Sequence, residues 1–311
     1  MNILITGSEG FVGKALVKKL KQDKNNRVIG LDRGNVFSKN IEYNPDFHTQ
    51  GDLNDIELIK EIIVRHQINE VYHFAAESIV GICSNDPYKT FKTNVLGTVS
   101  LLETCKNYGG GNIESIVIST SDKAYGKAKV PYNEESNLEP LFTYDTSKAC
   151  QQLTGLHFHR QYGLPIKIVT CSNLYGPGDF NMSRVIPKTI TRLSKGESAF
   201  LWEDSEKHIR EFVYIDDALD AFNLVSKKGK PGEIYCCGGT EHLTIKDLME
   251  KICILMKKDP DTNIKVHGRP VSLMEIQEQY QDSTKLQKLG WIPKVSLEEG
   301  LRRSIEFYSK F

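Results

Sequence analysis

Short runs of apolar, β-branched residues alternate along the chain with longer segments in which apolar residues recur every three or four positions. The short runs predict buried strands and the longer segments predict amphipathic helices. The predicted strands are Asn2–Thr6, Arg27–Leu31, Glu70–Phe74, Ile113–Ser119 and Ile166–Cys171. The helices between them are Phe11–Gln22, Asp55–His66, Pro87–Asn107 and Tyr144–Tyr162. This alternation predicts an α/β fold with a doubly wound parallel sheet covered on both faces.

The pattern changes after about residue 174, where shorter helices alternate with brief strands and with turns rich in proline and glycine. The predicted helices of this part are Ser183–Leu193, Asp216–Ser226, Thr244–Met256 and Leu297–Tyr308. We expect a smaller C-terminal α/β lobe. The expected division is residues 1–174 as the first domain, with 211–236 returning to it, and residues 175–210 and 237–311 as the lobe.

The charge balance argues against nucleic acid or an anionic membrane as a partner, because 40 Lys and Arg residues match 40 Asp and Glu residues. No apolar run approaches the roughly 20 residues that span a bilayer. Seven cysteines without a C-x-x-C spacing predict reduced thiols, and the chain begins directly in a strand without a signal-peptide pattern. We therefore expect a cytoplasmic protein. No metal is expected, since His157 and His159 are two residues apart on a helix and face different directions.

Three glycines, Gly7, Gly10 and Gly13, lie between the first predicted strand and the first helix. In this position the first glycine permits a tight turn and the second lets the backbone approach a pyrophosphate, while the third lets the helix pack on the strand. The N-terminus of the helix adds free N–H groups and a positive dipole end. The stretch therefore predicts a Rossmann dinucleotide-binding loop rather than a plain glycine-rich turn.

An acidic residue, Asp32, ends the second predicted strand. A carboxylate there accepts hydrogen bonds from the adenosine ribose and repels a 2′-phosphate, which favours NAD over NADP. The adjacent Arg33 is able to pair with a 2′-phosphate, so NADP stays open at this stage. Asp52 and Leu53 follow at a position suited to hold the adenine.

Tyr144 and Lys148 are four residues apart in a predicted helix and therefore share one face. A tyrosine is a weak base at neutral pH, but a neighbouring lysine and a positive nicotinamide ring stabilise its phenolate. Tyr144 is then able to take a proton from a substrate hydroxyl while hydride leaves the same carbon. Downstream of a dinucleotide loop, this pair predicts a redox enzyme and argues against a non-catalytic NAD-sensing module.

Nine stretches together resemble the extended short-chain dehydrogenase/reductase family, in its sugar-nucleotide 4,6-dehydratase and epimerase branch. They are TGSEGFVG, GDLND, HFAAES, TNVLGT, STSDKAYG, YDTSK, SNLYGPGD, REFVYIDD and KLGWIPKVSLEEGL. The resemblance implies NAD as cofactor and a sugar nucleotide bound between the Rossmann domain and the lobe. It also implies a homodimer formed through the helices Pro87–Asn107 and Tyr144–Tyr162. The alternative is that the apolar positions of these helices serve only the core of the monomer.

The resemblance also implies which residues contact NAD. They are Gly7, Glu9, Gly10, Phe11, Val12, Gly13, Asp32, Arg33, Asp52, Leu53, Phe74, Ala75, Ala76, Ser78, Asn94, Ser119, Tyr144, Lys148 and Cys171. For the substrate it implies Ser78, Ser121, Asn173, Arg184, Arg210 and Arg269. The three arginines suit a diphosphate, because a guanidinium group binds phosphate in a bidentate manner.

The run Ser121-Asp122-Lys123 resembles that of the 4,6-dehydratases, and CDP-glucose 4,6-dehydratases in particular. After oxidation at carbon 4, a base removes the proton on carbon 5 and an acid protonates the leaving hydroxyl of carbon 6; hydride then returns to carbon 6. Asp122 is the expected acid, Lys123 the expected base, and Ser121 the expected partner of the carbon 4 oxygen.

Two departures from the dehydratase pattern keep alternatives open. Lys123 replaces the glutamate of the dTDP-glucose branch, and Cys83 stands where many dehydratases have a serine. If Asp122 and Lys123 are only an ion pair in a loop, the redox pair still supports a sugar-nucleotide 4-epimerase.

Overall fold

The computed structural model describes residues 1–34, 44–268 and 275–310. Its strands are β1 (Asn2–Thr6), β2 (Arg27–Asp32), β3 (Phe47–Gln50), β4 (Glu70–His73), β5 (Ser115–Ser121), β6 (Ile166–Cys171), β7 (Asn173–Tyr175), β8 (Ala199–Trp202), β9 (Ile209–Tyr214), β10 (Ile234–Cys237), β11 (His242–Thr244), β12 (Ile264–His267) and β13 (Glu278–Gln279). Its helices are α1 (Phe11–Leu20), α2 (Ile56–His66), α3 (Val80–Asn85), α4 (Pro87–Phe91), α5 (Gly97–Tyr108), α6 (Thr143–Tyr162), α7 (Val185–Ser194), α8 (Ile215–Lys228), α9 (Ile245–Leu255), α10 (Pro260–Asn263), α11 (Thr284–Lys288) and α12 (Leu297–Tyr308).

Seven strands form one parallel sheet in the order β10-β6-β5-β4-β1-β2-β3. Along β1, Ile3 and Ile5 join the core on one face of the sheet, whereas Leu4 joins the core on the other. Helices cover both faces, and this is why the strands are apolar along their whole length. The predicted doubly wound parallel sheet is confirmed. The edge strand β3, which is mostly exposed, was not predicted.

The helix predicted at Pro87–Asn107 is interrupted by a π-helical turn. Residues Pro87–Phe91 and Gly97–Tyr108 are α-helical, and Lys92–Leu96 between them forms the turn. Single π turns inside α-helices are frequent at functional sites. This one carries Asn94, whose side chain is buried and points away from solvent.

The smaller sheet contains β11, β9 and β13, and β7 also pairs with β9. β8 and β12 form a separate two-stranded parallel sheet. Residues 211–236 were expected to return to the first domain. Within and next to this range, α8 packs against β5 and β6, and β10 pairs with β6 in the large sheet. The first four residues, Glu211–Tyr214, belong to β9 and therefore to the smaller sheet. The division into two domains stays a proposal. Within the described residues, no helix combines the length and the apolar character that crossing a membrane requires.

Candidate active site

A cavity of about 1300 Å³ opens where the loops after β1, β2, β4, β5 and β6 meet the lobe. Ligands in open α/β sheets bind outside the carboxyl ends of the strands, and this cavity lies there. Its lining includes the glycine loop, the residues that follow β5, the start of α6 and the loop after β7.

The glycine loop has the close backbone contacts that a dinucleotide site requires. A Cβ on Gly7, whose φ is +71°, would lie 2.6 Å from the backbone nitrogen of Ala75. A Cβ on Gly13 would lie 2.1 Å from the carbonyl oxygen of Gly7. Gly10 has no side chain to cap α1, and the residues at the helix start, Gly10, Phe11 and Val12, line the cavity, where helix N-termini bind anions. The loop therefore fits a pyrophosphate.

Asp32 lies at the end of β2 with both carboxylate oxygens oriented by backbone donors. The N–H of Glu9 donates to Oδ2 at 2.9 Å and the N–H of Gly34 donates to Oδ1 at 3.1 Å. The guanidinium of Arg33 lies 4.0 Å from the carboxylates of both Asp52 and Glu77. These two acids give Arg33 partners within the protein. Together with Asp32 they place three carboxylates beside one guanidinium, which favours a ribose with free hydroxyls over a 2′-phosphate.

The predicted redox pair lies in the first turns of α6, and both Tyr144 and Lys148 line the cavity. Lys148 Nζ donates to the carbonyl oxygen of Ser119 at 3.0 Å, and burial lowers the pKa of Lys148 to about 8. Burial raises the pKa of Tyr144, although the positive charge of Arg184 and a hydrogen bond with Ser121 act in the other direction. In the protein alone, burial therefore outweighs every group that favours the phenolate.

Ser121, Asp122 and Lys123 all line the cavity at the point where β5 ends and a 3₁₀ turn, Asp122–Tyr125, begins. The hydroxyl of Ser121 donates to Asp122 Oδ1 at 3.1 Å. Asp122 is 2% exposed, and burial raises its pKa although Lys123 acts against the shift. Lys123 Nζ donates to Gln279 Oε1 at 3.4 Å. A buried acid beside a lysine in the cavity wall differs from an ion pair on a solvated loop.

The expected substrate residues divide into two groups. Ser78, Asn173 and Arg184 line the cavity, and Arg184 Nη1 pairs with Asp179 Oδ2 at 2.9 Å. Arg210 is not among the described residues that line the cavity. Its guanidinium donates to the carbonyl oxygens of Ile209, Ile276 and Gln277 and lies 3.5 Å from the Glu275 carboxylate. Arg269 lies outside the described residues.

The expected cofactor residues also line this cavity, with the exception of Glu9 and Asn94. The Glu9 carboxylate lies 3.0 Å from His48 Nε2. Asn94 Oδ1 accepts from the Glu77 N–H at 2.7 Å, and Nδ2 donates to the Glu77 carbonyl and to Ser147 Oγ. Asn94 therefore joins the loop after β4 to α6.

Three residues of this region were missed in the sequence. Trp202 lines the cavity from β8, and its ring packs edge-to-face on that of Phe200 with the centroids 4.4 Å apart. Gln151 accepts a hydrogen bond from Lys148, and Asp145 is a buried acid that follows Tyr144. Asp145 could have been noticed in the sequence, because it is an acidic residue between Tyr144 and Lys148. Nothing in the sequence pattern distinguishes Gln151 or Trp202 as residues of the site.

Comparison with known proteins identifies the family. A family model described as GDP-mannose 4,6 dehydratase matches residues 4–304. The chain belongs to this family. A trifunctional UDP-glucose 4,6-dehydratase, epimerase and reductase of Arabidopsis thaliana is 31% identical over 99% of this chain. This chain spans 47% of that protein, about half of its length.

Shorter relatives match along most of their length. A dTDP-D-glucose 4,6-dehydratase of Homo sapiens is 30% identical over 98% of this chain and 89% of its own. A dTDP-glucose 4,6-dehydratase of Bacillus anthracis, solved in complex with NAD, has a TM-score of 0.88 at 29% identity and covers 100% of this chain and 97% of its own. A UDP-glucose 4-epimerase of Thermotoga maritima, solved with UDP-glucose, has a TM-score of 0.90 at 30% identity and covers 100% and 99%.

These matches confirm the extended short-chain dehydrogenase/reductase resemblance and the Rossmann-like fold. The dTDP-glucose relatives are named 4,6-dehydratases, and a UDP-glucose 4-epimerase is among the similar solved structures.

Proposed function

We propose that the chain converts a nucleotide-diphosphate hexose into its 4-keto-6-deoxy form by oxidation at carbon 4, loss of water across carbons 5 and 6, and reduction at carbon 6. The observation that carries the proposal is the presence of Tyr144, Ser121, Asp122 and Lys123 in the wall of one cavity. A redox tyrosine alone serves an epimerase equally well, whereas a buried acid and a lysine beside it suit an elimination.

The glycine loop and Asp32 would hold NAD, with the pyrophosphate at the start of α1 and the adenosine ribose on the Asp32 carboxylate. NAD, when bound, supplies the acceptor and donor for the hydrogen that moves from carbon 4 to carbon 6, and its ring adds a positive charge near Tyr144. Burial of the phenol raises the pKa of Tyr144, and positive charge lowers it again.

Tyr144 takes the proton of the carbon 4 hydroxyl, while Ser121 holds the same oxygen by a hydrogen bond. Lys148 contributes a positive charge to the site, where a hydrogen bond to the Ser119 carbonyl oxygen holds its amino group. An ammonium group in a buried site stabilises a neighbouring phenolate more strongly than it would in water.

Asp122 donates the proton to the carbon 6 hydroxyl, which leaves as water. Burial raises the pKa of Asp122, so the acid form persists to a higher pH than for an exposed aspartate. Lys123 removes the proton on carbon 5 and returns a proton to carbon 5 when hydride adds to carbon 6. Lys123 follows Asp122 directly, and both residues line the cavity that would hold the sugar.

The nucleotide diphosphate fits the wall formed by the lobe. Arg184 supplies a cation that is oriented by Asp179, and Asn173 supplies an amide at the start of β7, two residues after β6 ends. The indole of Trp202 is a flat surface on which a nucleobase stacks. Arg210 and Arg269 remain proposed diphosphate contacts. In the structure without substrate, the guanidinium of Arg210 donates to backbone carbonyl oxygens.

The direct test is incubation with NAD and a panel of UDP-, dTDP-, CDP- and GDP-hexoses, followed by mass spectrometry. Loss of one water from at least one sugar supports dehydration, whereas an isomer of unchanged mass supports the 4-epimerase. Tyr144→Phe is expected to abolish turnover while NAD stays bound. Lys123→Ala is expected to prevent water loss and to leave oxidation at carbon 4 intact.

The quaternary structure and location are part of the proposal. The helical segment of residues 87–108 and helix α6 carry exposed apolar side chains, among them Tyr88, Leu96 and Leu153 at 78%, 55% and 56% exposure. We propose a cytoplasmic homodimer that buries these side chains between two copies. Light scattering of the protein and of a Leu96→Glu, Leu153→Glu variant tests this, with a dimer and a monomer expected respectively.

A further inference from the structure

Gln279 is a buried glutamine of the smaller sheet that contacts the 3₁₀ turn after β5, and the proposed reaction leaves it without a role. It lies on the short strand β13 and is 0% exposed. Its Oε1 accepts a hydrogen bond from Nζ of Lys123 at 3.4 Å. Gln279 is not among the described residues that line the cavity, whereas Lys123 is. Any effect of Gln279 on the sugar is therefore exerted through Lys123 and its neighbours.

Backbone hydrogen bonds hold the strand of Gln279 on two sides. On one side, β13 pairs in parallel with β9. On the other side, the N–H of Tyr132 donates to the carbonyl oxygen of Tyr280 at 2.9 Å, and the N–H of Asp282 donates to the carbonyl oxygen of Tyr132 at 2.7 Å. Gln279 therefore offers its amide from a fixed backbone, whereas the Lys123 side chain is long and flexible and gains order from a fixed acceptor.

The partner that Gln279 offers to Lys123 is neutral. Within the described parts of the chain, Nζ of Lys123 forms no ion pair with a carboxylate, and the amide of Gln279 is the acceptor that it contacts. A carboxylate at hydrogen-bond distance would strongly favour the ammonium form of the lysine, and an amide does so to a smaller extent. The contact therefore orders the amino group without the charge that would keep it protonated.

This arrangement answers a chemical requirement of the proposed reaction. An ammonium group has no lone pair, so Lys123 removes the carbon 5 proton only after it has lost a proton of its own to water. The bond to Gln279 is also longer than the usual range of roughly 2.7–3.2 Å, which suits an amino group that has to leave this acceptor to reach the sugar.

The charged and titratable groups around Lys123 come from its own turn and from the elements packed near it. The charge of Lys123 acts on the carboxyl groups of Asp122 and Asp145, and α6 packs directly on the turn. All of these groups are the same in the wild type and in a variant of Gln279, so a difference in pH profile reports the residue at position 279. They are Asp122 on the turn, Tyr132 on the following loop, Tyr144 and Asp145 on α6, and Arg210 and Glu211 on β9.

We propose that Gln279 is a positioning residue that holds the amino group of Lys123 at the cavity wall and, as a neutral partner, lets it act as the base of the dehydration. The inference rests on the proposed function, and in particular on Lys123 as the base. As the amine, Lys123 takes the carbon 5 proton, and the C–H electron pair forms the carbon 5–carbon 6 double bond. The carbon 6 oxygen leaves with the proton of Asp122. Lys123 returns a proton to carbon 5 when hydride adds to carbon 6.

The variant Gln279→Met tests the positioning, because methionine keeps the length of the side chain and removes the amide oxygen. We expect the rate of water loss to fall roughly 10- to 100-fold, as for a displaced catalytic group, with KM within twofold. The rate of oxidation at carbon 4 in a single turnover, followed by absorbance of the reduced cofactor, is expected to stay unchanged.

Gln281→Met is the matched control for the loss of a buried amide from the same segment. The side chain of Gln281 donates to the carbonyl oxygen of Thr170 and to the hydroxyl of Ser172, and it does not contact Lys123. We expect Gln281→Met to leave the ratio of the two rates, water loss to carbon 4 oxidation, at its wild-type value.

The variant Gln279→Glu tests the neutral partner through the pH profile of water loss, measured as the step that follows cofactor reduction in a single turnover. In the wild type this rate should rise with pH as the amine of Lys123 forms. A carboxylate at position 279 favours the ammonium form, so the rise should move to a pH about one unit higher or more. A purely structural role would lower the rate at every pH without moving the rise.

The outcomes separate this inference from the proposed function. If the wild type gives an isomer of unchanged mass, or if Lys123→Ala still removes water at the wild-type rate, Lys123 is not the base of a dehydration and both fail. If Lys123→Ala stops water loss but Gln279→Met retains the wild-type rate, only the inference about Gln279 is overturned. Equal loss of carbon 4 oxidation and water loss in Gln279→Met, or an unmoved rise in Gln279→Glu, also overturns it.

Discussion

Gln151 accepts a hydrogen bond at 2.8 Å from Nζ of Lys148, the lysine of the proposed redox pair. Gln151 Nε2 donates to Thr98 Oγ1 at 2.9 Å and lies 3.1 Å from Nε2 of His73, whose Nδ1 lies 2.7 Å from Thr6 Oγ1. Burial lowers the pKa of His73 to about 3, so this ring is neutral in the working range. A buried chain of hydrogen bonds thus fixes Lys148 to two central strands and a neighbouring helix.

Replacement of Gln151 is expected to affect catalysis through the position of Lys148. Gln151→Leu removes the acceptor of the lysine and leaves buried polar groups unpaired, which costs about 1–3 kcal/mol of stability. We expect kcat for oxidation at carbon 4 to fall by roughly 10-fold or more. Gln152→Leu is the control, because Gln152 is equally buried and bonds Thr120 instead. Similar kcat losses in both variants would contradict the role of Gln151.

The charge of Lys148 is expected to set an upper pH limit on the rate of oxidation at carbon 4. Burial lowers the pKa of Lys148 to about 8, so the ammonium is lost as the pH rises through 8 rather than near 10. The value of kcat/KM for this step should therefore decline above about pH 8. Lys148→Arg keeps its charge at all accessible pH values, and its residual activity should lack the decline. A decline of the same midpoint in Lys148→Arg would assign the limit to another group.

The buried carboxylate of Asp145 is expected to lower the free energy of unfolding at neutral pH. Its pKa in the folded protein is about 6 against an ordinary 3.8, so the folded state binds the proton more tightly and stability falls as the pH rises from about 4 to 6. Above this range the cost reaches roughly 3 kcal/mol. Asp145→Asn should therefore be more stable than the wild type at pH 8, with a gain roughly half as large at pH 5. Urea unfolding at both pH values measures this, and an equal or negative difference at pH 8 contradicts it.

The sequence predicted those parts of the site whose geometry is local. The turn at Gly7–Gly13 depends on neighbouring residues, and so does the placement of Tyr144 and Lys148 on one helix. The alternation of Ile3, Leu4 and Ile5 between two cores likewise follows from strand geometry alone.

The remaining features depend on packing between distant segments. Gln151 contacts His73 across 78 positions, and the interval between Trp202 and the glycine loop is far longer. Arg210 was expected to face the substrate, and in the structure its guanidinium binds the carbonyl oxygens of Ile276 and Gln277. The edge strand β3 is short and polar, and nothing in its apolar pattern marked it as a strand.

The C-terminal helix is expected to influence substrate affinity through the loop after β7. The hydroxyl of Tyr308 on α12 lies 2.8 Å from the carbonyl oxygens of both Gly176 and Asp179, and the Asp179 side chain holds Arg184. Tyr308→Phe should raise KM for the sugar nucleotide severalfold with kcat within twofold, since the loop loses its donor. Ser304→Ala removes a buried hydroxyl from the same helix without touching the loop, and equal KM changes in both variants would contradict the prediction.

The decision between dehydration and epimerisation depends on Asp122 and Lys123, and a labelled substrate tests it most directly. A nucleotide-diphosphate hexose that the enzyme accepts is supplied with deuterium at carbon 4, and the product is analysed by mass spectrometry and NMR. We predict loss of one water with the deuterium retained at carbon 6. A product of unchanged mass with inverted configuration and deuterium still at carbon 4 would contradict the dehydratase assignment and identify an epimerase.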